Sequence, residues 1–167
     1  MIPTVFIFLI IQLLFVSLLD AKYRKISNNW SLLNIGIYLL FIIFFPSILS
    51  FEWQTLILSG AFLVLGFMLF LLKIMGGGDA KYLTTFTLLI PVKLHLLFLE
   101  YLLIGTILFA GFFFIKNIIQ NRSDIINYLR SFYLQGVKSF FGTKFAFAPV
   151  ILVAWILLGL DIYFNLI

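Results

Sequence analysis

Six apolar runs, at residues 3–19, 30–50, 54–72, about 80–92, 96–115 and 145–166, fill most of the chain and constrain its fold more than any single residue does. In lipid, every backbone donor and acceptor must be paired inside a helix or a closed barrel. Barrel strands run about ten residues and alternate polar with apolar side chains, whereas these runs are longer and continuously apolar. They predict an all-α fold: a polytopic membrane bundle of about six transmembrane helices, forming one domain over residues 1–167. Composition agrees. Of 167 residues, 64% are hydrophobic and 10% charged, against roughly a quarter charged in an average soluble domain. Too few polar side chains exist to cover a water-facing surface, and the same balance excludes disorder. No Lys or Arg precedes the first run and no small-residue cleavage site follows it, so it reads as a retained span rather than a removed signal peptide.

Basic residues set the expected orientation. Lys22, Arg24 and Lys25 follow the first run, Lys73 and Lys81 flank the loop after the third, and Lys116, Arg122, Arg130, Lys138 and Lys144 lie between the fifth and sixth. Six spans gather these on one side and leave only Lys93 opposite. The positive-inside rule makes that side cytoplasmic and both termini external. Residues 80–115 would make about 54 Å of helix at 1.5 Å per residue, too long for one crossing. One crossing would also put the basic residues of 116–144 outside. The expectation is therefore a short fourth span, a turn near Pro91 to His95, and a full fifth span. In 116–144, apolar residues such as Ile118, Ile125, Leu129, Phe132 and Phe140 recur at roughly helical spacing between basic ones. This suggests an amphipathic helix on the cytoplasmic membrane face; a basic loop is the alternative.

The chain has no cysteine, so no disulfide, thiolate metal site or cysteine nucleophile exists. Its one histidine, His95, falls on the external side and is expected to be a bystander. Neither metal nor cofactor is expected. The net charge of +5 is small for a nucleic-acid binder, so no nucleic-acid partner is expected, and the oligomeric state is left open.

Six acidic residues remain. Glu52, Asp124 and Asp161 suit solvated or interfacial roles. Glu100 lies within the fifth span near its external end, where a carboxyl group needs a partner, a proton, or a path to the interface. Asp20 and Asp79 differ. One ends the first span and the other opens the fourth, so both fall at the cytoplasmic level. If they approach closely, both cannot ionise cheaply and the pair shares a proton. One ionised and one protonated carboxyl can activate water and protonate a leaving amine. The alternative is two unrelated helix-end acids, with Asp79 capping its own helix. Gly76, Gly77 and Gly78 precede Asp79, and Lys81 follows. Three glycines stop a helix and let another backbone approach closely, so an extended peptide can lie there as an added strand. No Walker pattern follows, which excludes a phosphate-cradling loop.

Gly76-Gly77-Gly78-Asp79-Ala80-Lys81 is similar to the G-x-G-D-x-K motif of the prepilin peptidase family, membrane aspartyl proteases of the GxGD type. Asp20-Ala21-Lys22-Tyr23-Arg24-Lys25-Ile26-Ser27-Asn28 resembles its other motif, an aspartate followed by basic residues and Ile-Pro-Asn, with Ser27 in place of proline and able to cap the next helix. Lys144-Phe145-Ala146-Phe147-Ala148-Pro149 resembles the aromatic and small residues that open the family's last span. The three matches come in family order and at family-like spacing, and the resemblance covers nearly the whole chain. The chain looks like the short form associated with Tad/Flp-type pili or preflagellin processing. No extension with paired cysteines precedes the first motif, and N-methylation of the new amino terminus is not expected. A Tyr-Asp pair, typical of presenilin-type proteases, is absent because Leu19 precedes Asp20.

The resemblance implies a multi-pass enzyme of the cytoplasmic membrane that removes a short basic leader from prepilin-like precursors. Asp20 and Asp79 would be catalytic, without metal or covalent intermediate. Gly76 and Gly78 would shape the peptide-binding edge, and Lys22, Arg24, Lys81, Asn28 and Pro149 would support the acids or the substrate. Two other classes compete with it. A transporter or proton pathway would use Asp20, Asp79 and Glu100 at several depths, but no polar ladder between them is evident in the sequence. A structural subunit of a pilus or secretion assembly would have no need of Gly-Gly-Gly-Asp.

Overall fold

The structure, a computed structural model of the chain, describes residues 3–46, 49–71, 75–120 and 146–165. Among these residues the fold is all-helical: α1 Pro3–Tyr23, α2 Asn28–Phe44, α3 Trp53–Leu71, α4 Gly77–Thr87, a 3-10 turn Val92–Leu94, α5 His95–Gln120 and α6 Ala148–Asn165. Most expected runs reappear as helices. α5 runs on to Gln120 and so takes in the first residues of the expected amphipathic segment; the rest of 116–144 lies outside the described residues.

Local chemistry sets the helix ends. Arg24 stops α1 at φ 51°, in the left-handed region, and its N–H donates to the Asp20 carbonyl at 2.7 Å, the bond that closes a left-handed C-cap. Ser27 starts α2 as expected, its hydroxyl accepting from the Asn29 N–H at 3.3 Å. Pro46 follows the end of α2 and cannot continue it.

The fourth run departs most from the sequence reading. Its helix covers 77–87, about 16 Å long at 1.5 Å per residue, roughly half the hydrocarbon thickness. Thr84, Thr85 and Thr87 turn their hydroxyls back onto the carbonyls of Ala80, Lys81 and Thr84 at 2.8, 3.0 and 2.7 Å. Such back-bonding competes with the helical ladder, and the chain then turns through Leu88–Pro91. Leu89 and Ile90 are buried in this turn. His95, which the sequence reading placed on the external side, is buried too, with Nε2 2.8 Å from the Ile90 carbonyl. Irregular backbone at membrane depth is tolerable when protein surrounds it.

Packing divides the helices into two sets. α4 lies against α2 and α3, while α6 lies against α1 and α5, and contacts between the sets are sparser. Aromatic rings join them: Phe86 of α4 meets Phe98 of α5 at 5.9 Å and Trp155 of α6 at 5.3 Å, and Trp155 stacks on Phe6 of α1 at 4.9 Å.

The second join is polar. Asn34 of α2 accepts a hydrogen bond from Gln12 of α1 and donates one to Thr85 of α4 at 3.4 Å. Within the first set, Ser59 of α3 pairs with Thr87 at 2.9 Å. The sequence reading saw no polar ladder; these buried groups form a partial one, built of amides and hydroxyls.

The outside is apolar. Leu18, Leu32, Ile57 and Ile107 are about two-thirds exposed or more while Gln12, Asn34, Ser59 and Thr87 are buried, a distribution suited to lipid rather than water. Two helices are clearly long and apolar enough to cross a membrane, over Val5–Tyr23 and Val92–Phe112; α2, α3 and α6 contain shorter apolar stretches. The fold is therefore that of a membrane protein.

A Cβ on Gly66 of α3 would sit 2.6 Å from the Ala80 Cβ, whereas one on Gly60 would meet nothing within 4 Å. Gly66→Val is therefore expected to force α3 off α4 and lower stability by about 1–3 kcal/mol. Gly60→Ala is expected to leave stability unchanged or slightly raised. Unfolding midpoints of the two purified variants check the contrast.

Candidate active site

Asp20 lies in the last turn of α1 and is 1% exposed. Its Oδ2 accepts the Ala148 backbone N–H at 3.0 Å, and the Phe147 N–H also faces the carboxyl group. These amides open α6. Phe147 has no side-chain acceptor and Pro149 has no N–H, so the carboxyl group of Asp20 supplies the cap that local sequence lacks.

Asp79 is the third residue of α4 and buried. Its Oδ2 accepts the Gly76 N–H at 3.2 Å, half of a capping box, since glycine has no side chain to return the bond. Asp79 does cap its helix, as the alternative reading held, and it also faces an open cleft. The glycines before it have separate roles. A Cβ on Gly78 would lie 2.5 Å from the Ile26 carbonyl oxygen; one on Gly77 would make ordinary contact with the Phe70 ring at 3.5 Å. The backbone that approaches Gly78 is thus the chain's own α1–α2 turn.

The two acids come to one level through Asn34. Its bonds to Gln12 and Thr85 place those three residues at one depth. Asp79 precedes Thr85 by six positions and Asp20 follows Gln12 by eight on an antiparallel helix. Both therefore lie toward the same end of the bundle, about 9 and about 12 Å from the Asn34 level at 1.5 Å per residue.

A cleft of about 380 Å³ opens at that end, between Tyr23, Arg24, Lys25 and Ile26 on one wall and Gly76, Gly77, Gly78 and Asp79 on the other. Of the expected site residues, Asp79, Gly76, Gly78 and Arg24 line it. Asp20 does not: its carboxyl group is turned to α6. Lys22, Asn28 and Lys81 are exposed outside the lining, and the Lys22 ammonium sits 5.2 Å from the Tyr23 ring centroid. Pro149 is half-buried beside the amides that hold Asp20. Among the described residues no group of three or more His, Cys, Asp or Glu is placed to hold a metal.

Sequence reasoning missed the Phe147 and Ala148 amides and the lining residues Tyr23, Lys25 and Ile26. The amides had a signal: a helix opening Phe-Ala-Pro, without Ser, Thr, Asp or Asn at its N-cap, must find an acceptor elsewhere.

Glu52 and Glu100 are exposed. Glu52 accepts from the Ser50 hydroxyl at 3.0 Å, and Asp161 is hydrogen-bonded to Tyr101 across α5 and α6. Neither Glu52 nor Asp161 lines the cleft.

Fold and site together describe a membrane protein with two buried carboxyl groups at one end, one of them beside a glycine-lined cleft. A sequence profile of the type IV leader peptidase family matches residues 7–163, and the chain belongs to that family. It is accordingly a peptidase of the leader-processing kind. Searches of curated proteins and of solved structures gave no significant match.

Two contrasts test the site's construction. Gly78→Ala is expected to displace the Ile26 carbonyl and lower the unfolding midpoint, while Gly77→Ala stays at or above the wild-type value. Asp20→Asn keeps an acceptor for the α6 amides and Asp20→Ala does not, so the alanine variant is expected to be less stable by about 0.5–2 kcal/mol. Thermal unfolding of the four variants in one detergent reads both contrasts.

Proposed function

We propose that this protein is a membrane aspartyl endopeptidase that removes the short basic leader from type IV prepilin-like precursors at the cytoplasmic face of the membrane. It is a single-domain, multi-pass protein of the cytoplasmic membrane, with Asp20 and Asp79 as its catalytic acids. The observation that carries this reading is their common depth: two carboxyl groups from distant segments lie toward one end of the bundle through the hydrogen bonds of Asn34. Family membership supplies the reaction class.

In the proposed reaction, one ionised carboxyl takes a proton from water as its oxygen attacks the scissile carbonyl carbon. The other, protonated, donates to the carbonyl oxygen; as the C–N bond of the tetrahedral intermediate breaks, the first carboxyl gives the water-derived proton to the leaving amine and the second takes its proton back from the gem-diol hydroxyl. No covalent intermediate forms and no metal takes part. The precursor backbone lies along the open side of Gly76 and Gly77, Gly78 being already backed by the Ile26 carbonyl, and its apolar helix stays in the bilayer against the outside of the bundle. Arg24 and Lys25 on the cleft wall, with Lys22 and Lys81 nearby, make its mouth positive. They hold that end at the cytoplasmic face, and Arg24 and Lys25 donate hydrogen bonds to carbonyl groups of the precursor backbone once it is seated. Pro149 keeps the first turn of α6 in the form that presents its amides to Asp20.

Co-expression with a prepilin-like precursor tests the reading. Asp20→Asn and Asp79→Asn are each expected to lower cleavage by at least about 100-fold, the scale of a lost general acid or base, with both proteins still in the membrane. Cleavage at the wild-type rate by either variant overturns the assignment. Proton flux in liposomes without any cleavage would instead favour a transporter.

A further inference from the structure

The join between the two helix sets contains more polar capacity than its hydrogen bonds use. Asn34 is fully buried, bonded to Gln12 on one side and to Thr85 on the other. Around it, Gln12 Oε1, the Ser31 hydroxyl and the Tyr82 hydroxyl are buried and have no protein partner. All three residues are more than nine-tenths buried: Gln12 is 5% exposed, Ser31 7% and Tyr82 0%.

Each of these residues is tied to Asn34 by a contact or by its place on the helix. Gln12 Oε1 belongs to the amide whose nitrogen bonds Asn34. The Tyr82 hydroxyl faces the Asn34 side chain, outside good hydrogen-bond geometry. Ser31 precedes Asn34 by three positions on α2, so its hydroxyl lies on the same helix face.

An orphaned buried polar group costs more than a typical hydrogen bond returns, and native proteins seldom leave several together. The orphans here have complementary chemistry: an amide oxygen that accepts, and two hydroxyls that both donate and accept. Two to four such partners are what a buried water needs.

We propose that Gln12, Ser31, Asn34 and Tyr82 form a buried water-binding site at the join of the two helix sets. Tyr82 lies one turn beyond Asp79 on the same helix, so the site begins one turn inward from Asp79. Bound water there bridges α1 to α2 and α4, completes the hydrogen bonding of all three orphans, and places a reserve of water behind the cleft.

Removing a hydroxyl separates a wet join from a dry one. In a dry join, Tyr82→Phe deletes an unsatisfied group and leaves the unfolding midpoint unchanged or raised. In a wet join it takes a partner from the water, and the midpoint falls by about 2–4 °C. Ser31→Ala is expected to fall similarly, and the double variant to fall by less than the sum, because both act through shared water. An unchanged or raised midpoint for Tyr82→Phe overturns the proposal.

X-ray radiolytic labelling of the full chain in lipid nanodiscs gives an independent readout, because bound water generates hydroxyl radicals in place. Tyr82 is expected to be labelled several-fold more than Phe98, which is equally buried. Labelling of Tyr82 no greater than that of Phe98 also overturns it. Neither measurement involves peptide cleavage, so failure here leaves the peptidase reading untouched, and failure of that reading leaves the water site standing.

Discussion

Asn34 takes a hydrogen bond from Gln12 and gives one to Thr85, and the axial register of three helices follows. Apolar helix faces in lipid have no strong preference for one register over another, because tails and side chains are equally greasy. A directional bond between amides and a hydroxyl has such a preference. By fixing Gln12 of α1 and Thr85 of α4 against one residue of α2, it determines how far Asp20 and Asp79 lie along the bundle. The aromatic contacts of Phe86, Phe98 and Trp155 add area and shape to the same join, but they carry less depth information.

Both acids are built into the architecture of the bundle. Asp20 closes the start of α6 and Asp79 closes the start of α4. Each carboxyl group is thereby oriented by backbone amides, which cannot swing away as side-chain donors do. Asp20 is held by α6, which packs on α1, and Asp79 by the helix that packs on α2 and α3. The acids therefore belong to different packing sets, and the separation between them follows the relation of those sets to each other.

The sequence made some of this legible and hid the rest for physical reasons. α1, α2, α3, α5 and α6 stand out because a continuous apolar stretch must be helical in lipid. Ser27 was readable as a cap because its function depends on its neighbours alone. The end of α4 was not readable: Leu88, Leu89 and Ile90 are as apolar as any helical residue, and a turn buried in protein has the same composition as a buried helix. Asp20 and Asp79 stood out as candidates through the glycine and basic residues around them. The partner of Asp20 was hidden because Ala148 is 128 positions away and contributes only its backbone. Gln12 and Asn34 stood as isolated polar residues in apolar runs, but their pairing depended on a register that only the folded chain defines.

The halt of α4 at Thr87 shapes the interior as a whole. Around the turn that follows, Leu89, Ile90 and Phe98 are buried, and Ser59, Thr87 and His95 are engaged with one another or with carbonyl groups. Among the described residues Asp20 and Asp79 are the only buried carboxyl groups, and both lie toward one end. The interior beyond them is knitted together by amides, hydroxyls and carbonyls, so carboxylate chemistry is confined to a single end of the bundle.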